Sequence, residues 1–146
     1  MEINIGMKGE ASTLVERSDT AVEVGSGSLL VYATPCMVAL MEGAACEAIR
    51  EAIPEEKTTV GIELSISHLA ATPVGLSVSA QAEVTSVEGN IITFHVTAHD
   101  EVSKIVITSL EYADATEIPT AAKKYVEYVT NNGIMNGMED NKFSPN

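Results

Sequence analysis

The chain is short of positive charge before anything else. Eight Lys and Arg face 21 Asp and Glu among 146 residues, a formal net charge of −13. A surface so acidic repels nucleic-acid phosphates and anionic membrane surfaces at long range, so neither is expected as a partner. No run of eighteen apolar residues exists, which excludes an apolar membrane-spanning helix. The N-terminal stretch from Met1 to Glu10 has no basic region followed by an apolar one, so no secretory signal is visible and a cytoplasmic location is expected. The two cysteines, Cys36 and Cys46, lie ten residues apart. On one helix that is about 15 Å, far beyond disulfide reach, so both read as small buried hydrophobes of a reducing compartment. No His, Cys and carboxylate cluster has metal-ligand spacing, and no cofactor is expected.

What is present is a globular composition, 45% hydrophobic and 20% charged. Size scaling lets a chain of this length bury roughly two thirds of its surface in one core. Residues 11–17 are a short strand candidate, and Gly25 to Ser28 breaks the chain before the next element. Thr34-Pro35 then opens a helix, because Thr is a favoured N-cap and Pro a favoured first helical residue. That helix runs to about Ile53, with Pro54 just past its end.

Period-2 patterning follows. In residues 59–68, Val60, Ile62, Leu64 and Ile66 share one face and Gly61, Glu63, Ser65 and Ser67 the other. In residues 74–87, Val74, Leu76, Val78, Ala80, Ala82 and Val84 oppose a polar face. Glu88-Gly89-Asn90 makes a hairpin with residues 91–99, where Ile92, Phe94, Val96 and Ala98 face inward. A last strand is expected over 102–112. Such segments predict an antiparallel sheet with one wet face, and with one long helix they give an α+β layer architecture. The first two helical turns, Cys36 to Met41, are apolar all round, so the helix must be enclosed. A single antiparallel sheet curled around a central helix does this, which is the hotdog fold. From residue 117 the character changes: Ile118-Pro119 interrupts, Ala121–Thr130 reads as a short helix, and the end is polar and turn-rich. The chain thus divides into a domain over 1–116 and an appendage over 117–146.

At 100° per residue the helix carries an apolar seam of Val38, Met41, Ala45, Ile49 and Ala52, and Glu42 falls inside it. A carboxylate on a buried stripe costs several kcal/mol unless something pairs with it. His68 continues the in-facing alternation of Val60 to Ile66, whereas His95 and His99 fall on a polar face. Glu42 and His68 could therefore meet, a pairing that orients an imidazole and stabilises its charge. Thr34 adds a hydroxyl where the helix N-terminus favours developing negative charge. Taken singly, Thr34 is most economically a cap, His68 a core histidine, and Glu42 a structural acid. Cys36, also near the helix N-terminus, stands where a thiol pKa can be lowered.

At these residues the chain resembles a known family. Tyr32 to Glu42 looks like the A-T-x-x-M-V-x-L-M-E signature of the fluoroacetyl-CoA thioesterase-like family of hotdog proteins. Ser67 to Gly75 is similar to that family's T/S-H-x-A-A-T-P-x-G segment, and the resemblance covers residues 8–112. It implies an acyl-CoA thioester hydrolase acting as a homodimer, with catalytic roles on Thr34, Glu42 and His68. His68 would be the general base, Thr34 the nucleophile or carbonyl positioner, and Glu42 the polarising or water-activating carboxylate. Pro35, Cys36, Ala70, Gly75 and Tyr112 would contact substrate. The chain departs from the family at its last strand, where Leu110 and Tyr112 replace a histidine and an arginine. Ser28-Leu29-Leu30 also stands where a phenylalanine lid is expected, which argues against fluoroacetyl-CoA itself as the substrate. Coenzyme A is a polyanion, and the catalytic unit offers it only Lys8, Arg17, Arg50, Lys57 and Lys104, so weak nucleotide binding is expected.

The tail from Tyr125 to Gly137 and from Asp140 to Asn146 resembles half of an S-layer homology module, without its leading Trp. Such modules contact cell-wall polymers, a partner that this half-module makes the lesser reading. Two other functions stay open: a non-catalytic module binding acyl-CoA or a cell-wall ligand, and a hotdog hydratase or dehydratase. The latter would want an Asp/His pair on the helix N-terminal segment, where no His stands.

Overall fold

The computed structural model describes residues 2–102. Strand β1 spans Lys8–Leu14, helix α1 Thr34–Ile49, β2 Ser77–Glu88 and β3 Ile91–Asp100. The three strands form one antiparallel sheet in the order β1-β2-β3. The pairing of Lys8 with Glu83 fixes the β1–β2 register, and that of Ala80 with Ala98 the β2–β3 register. The hairpin forms at Gly89-Asn90, and Gly89 takes a left-handed backbone with φ 63°. A register shift between Val84 and Ser86 breaks the strict alternation. Val78, Ala80, Ala82 and Val84 are buried before it, while Val87 beyond it is exposed.

Helix α1 lies across the inner face of this sheet. Its buried residues are Met37, Ala44, Ala48 and Ile49. The buried centre of the contact is made of small side chains, Ala44 with Ala80 and Ala82, and Leu40, Met41, Phe94 and Val96 pack around it. Gly9 on β1 makes the close approach possible, because a Cβ there would land on the helix backbone at Ala44 and Ala48. Larger side chains close both ends, with Val15, Tyr32, Met37 and Val78 at one and Ile49 with Val84 at the other.

Several expectations need correction. The first strand sits at Lys8–Leu14 rather than 11–17. The regular helix ends at Ile49, followed by a 3-10 turn over Arg50–Ala52. Thr34 is the first helical residue and Ala33 the N-cap, with no side-chain cap bond. The seam is centred on Met37, Met41, Ala44 and Ala48, and Glu42 lies outside it, about 140° around the helix from Met37 at 100° per residue. Glu42 is accordingly exposed in the single chain, as is Cys46, while Cys36 is only partly covered.

Residues 59–68 form no strand in this chain. The stretch belongs to no helix or ladder, and Val60, Ile62 and Leu64 are 78%, 75% and 60% exposed. The expected last strand, its Leu110 and Tyr112, Lys104, the boundary at residue 116 and the appendage over 117–146 lie outside the described residues. Among the described residues no helix is long and apolar enough to cross a membrane.

Candidate active site

Thr34 and His68 meet at the N-terminal end of α1. Thr34 Oγ1 and His68 Nδ1 are 2.8 Å apart, a hydrogen bond across 34 residues of sequence. Because Thr34 does not cap the helix, its hydroxyl is free to face the imidazole. The two side chains line an open cleft of about 340 Å³ together with Ala21, Tyr32, Leu69 and Ala70. That is the small end of the range for ligand pockets.

The chain segment that carries His68 is fastened on its far side. Thr72 and Asp100 are 6% and 4% exposed, and the Thr72 hydroxyl donates to Asp100 Oδ2 at 2.9 Å. The Tyr32 N–H donates to the Thr72 carbonyl at 2.8 Å, and Val31 bridges to Pro73. The loop after His68 is thereby tied to the residues that lead into α1.

Burial raises the Tyr32 phenol to about 12, with Cys36 and Asp19 adding to the rise. Its hydroxyl donates to the Cys36 carbonyl at 3.0 Å and stays protonated. Burial also raises the Cys36 thiol, with Asp19 acting in the same direction. The helix N-terminus therefore does not activate this cysteine.

Glu42 sits elsewhere. Eight residues along α1 from Thr34, it lies about 12 Å down the axis, and its carboxylate abuts Gly61 rather than His68. The sequence pattern places Gly61 and His68 on opposite faces of one strand, yet both face α1, so the alternation breaks between them. Within one chain, then, the structure joins Thr34 to His68 and leaves Glu42 apart. Ala70 lines the cleft. Pro35 is exposed on the first helical turn. Cys36 packs partly against Val15, Tyr32, Met37 and Val78. Gly75 lies away from the cleft lining, in a turn with φ 93° where its N–H donates to the Val15 carbonyl. Tyr112 lies outside the described residues.

Sequence reasoning missed Tyr32 and Gly61. Tyr32 stands at the edge of the family motif, and it is buried among Val15, Met37 and Val78, a grouping that no local pattern reveals. Gly61 was legible only as a polar-face residue, although a glycine inside a β-branched run is itself a sign of close approach. Of the described basic side chains, Lys8, Arg17 and Arg50 are ion-paired to Glu83, Glu23 and Glu47, and Lys57 is not. Among the described residues no group of three or more His, Cys, Asp and Glu could hold a metal ion.

A long helix laid on an antiparallel sheet is the architecture of the hotdog proteins. The model of the fluoroacetyl-CoA-specific thioesterase family matches residues 15–112, and the chain belongs to that family. The fluoroacetyl-CoA thioesterase of Streptantibioticus cattleyicolor is 41% identical over 75 residues, which is 51% of this chain and 54% of that protein. The chain thus spans about half the length of that curated relative. A solved structure of a fluoroacetyl-CoA thioesterase superposes with TM-score 0.66 at 30% identity, covering 70% of this chain and 80% of the other. A hot-dog-like protein from Thermanaerovibrio acidaminovorans, 24% identical over 68% of this chain and 73% of its own, shares the fold with TM-score 0.60. The S-layer homology domain model matches residues 111–146.

Proposed function

We propose that this protein is an acyl-CoA thioesterase that hydrolyses a small acyl-CoA to the free acid and CoA, and that it works as a homodimer. The observation that carries the reading is the Thr34–His68 hydrogen bond at the mouth of the small cleft beside the start of α1. His68 takes a proton from water, or from the Thr34 hydroxyl, as that oxygen attacks the thioester carbonyl. The oxyanion that forms lies near the Thr34 and Cys36 N–H groups at the start of the helix, Pro35 between them having none. Collapse breaks the C–S bond, and the imidazolium returns its proton to the CoA sulfur. If Thr34 attacks first, water repeats the sequence on the acyl-threonine ester.

The homodimer completes this site. The apolar segment over 59–68 exposes Val60, Ile62 and Leu64 along a stretch with no ladder partner among the described residues. Antiparallel pairing with its own copy about a two-fold near Leu64 gives both copies a ladder and covers those side chains. The same pairing carries the partner's His68 to the neighbourhood of Val60 and Gly61, and so toward Glu42. Glu42 of one chain then serves His68 of the other, which restores the pairing expected from sequence.

We place the reaction in the cytoplasm, where CoA thioesters are made. The match of residues 111–146 to the S-layer homology domain favours a second reading, in which the chain is held at a cell-wall polymer. Cell fractionation and pull-down on purified cell walls separate the two. The activity is tested by thiol release from acetyl- through octanoyl-CoA. The short chains should be turned over, and Thr34→Val and His68→Ala should each lower kcat by about 100-fold or more. A folded protein that releases no thiol from any of them overturns the reading.

A further inference from the structure

Gly61 does something that its backbone does not require. Its φ lies outside the left-handed region, so conformational freedom is not why a glycine stands there. Space is the reason. A Cβ on Gly61 would lie 2.6 Å from Glu42 Oε1, and the next nearest atom is Cδ of the same side chain at 3.8 Å. Among the described residues, the missing methyl therefore opens room for the Glu42 carboxylate alone.

We propose that Gly61 is a positioning residue for the thioesterase reaction: its bare Cα forms the seat that holds the Glu42 carboxylate toward the reacting centre. This rests on the thioesterase reading above, including the homodimer that brings the partner's His68 to Glu42. The displaced atom would be the free end of a flexible side chain, so the fold tolerates a methyl at this position while the carboxylate has to swing away. The seat also fixes the acid's length. Aspartate, one methylene shorter, draws the carboxylate back from the added Cβ, whereas glutamate cannot.

The test is a cycle over Gly61→Ala and Glu42→Asp. Gly61→Ala should keep the wild-type far-UV spectrum and melting temperature within a few degrees, keep KM within about twofold, and lower kcat about 10- to 100-fold. Glu42→Asp alone should also lower kcat. Gly61→Ala/Glu42→Asp should exceed Gly61→Ala several-fold in kcat, a recovery that a merely structural glycine would not give. Independent of turnover, carboxyl ¹³C resonances of glutamate-labelled protein, assigned with Glu42→Gln, should show the Glu42 signal moved in Gly61→Ala and the other glutamates in place. An unmoved Glu42 resonance, or kcat in the double variant no higher than in Gly61→Ala, overturns the seat. Wild-type protein that turns over no acyl-CoA while the resonance does move overturns the thioesterase reading and leaves the seat standing.

Discussion

Replacing Ile62 with lysine probes the exposed segment where its cost can be worked out in advance. Ile62 is 75% exposed in the single chain, and full burial of an aliphatic side chain of this size is worth about 1.5–3 kcal/mol. In a two-fold dimer each substitution counts twice, so Ile62→Lys should cost about 2–4 kcal/mol of association. That is roughly 30- to 1,000-fold in dimer Kd. Sedimentation equilibrium across a concentration series reads the Kd directly. Ile5 is 69% exposed but lies outside the segment, so Ile5→Lys is the matched control and should leave the Kd unchanged. A wild-type chain that is monomeric yet active, or an Ile62→Lys Kd equal to that of the control, would refute the assignment of this segment to self-pairing.

Two further outcomes follow from the described core. Tyr32 is raised from 10.0 to about 12, so the folded state favours the neutral phenol. Its contribution to stability is complete below pH 10 and is lost as the pH rises from 10 to 12; urea midpoints should fall through that window, and fall less in Tyr32→Phe. Glycines on the two sides of the helix–sheet contact should behave oppositely. Gly9→Ala drives a methyl into the α1 backbone and should cost several degrees of melting temperature or abolish folding. Gly43→Ala meets only the Ala11 methyl at 4.0 Å and should gain about 0.5–1 kcal/mol from helix propensity. Equal melting temperatures for those two variants would contradict the close approach.

The hairpin of β2 and β3 was readable because one face of each strand is wet, so alternation and the Glu88-Gly89-Asn90 turn together fix the pattern. The start of α1 is readable because Pro35 marks it; Pro54 stands past a 3-10 turn, so it sets the end of regular helix four residues beyond Ile49. The rotation of α1 is not readable. Cys36 to Met41 are apolar on every side, and a helix without a polar face carries no phase information. The apolar pattern therefore sets the seam one position off, and it places Glu42 in the seam where the structure exposes it. The stretch over 59–68 has the alternation of a strand, but a strand exists only with a ladder partner, and the described residues supply none. Thr34 and His68 were singled out by spacing and by the family motif together. Their hydrogen bond depends on the segment turning back over the helix N-terminus, secured by Thr72 and Asp100, a contact across 28 residues that no local pattern encodes.

The most direct test of the central claim mixes two inactive chains, Glu42→Gln and His68→Ala, and measures acyl-CoA hydrolysis. If Glu42 of one subunit serves His68 of the other, half of the dimers in an equal mixture are mixed, and each has one of its two sites intact. The mixture should then show about one quarter of wild-type activity, from two proteins that are inactive alone. A mixture that exchanges subunits fully and stays as inactive as its components would contradict it.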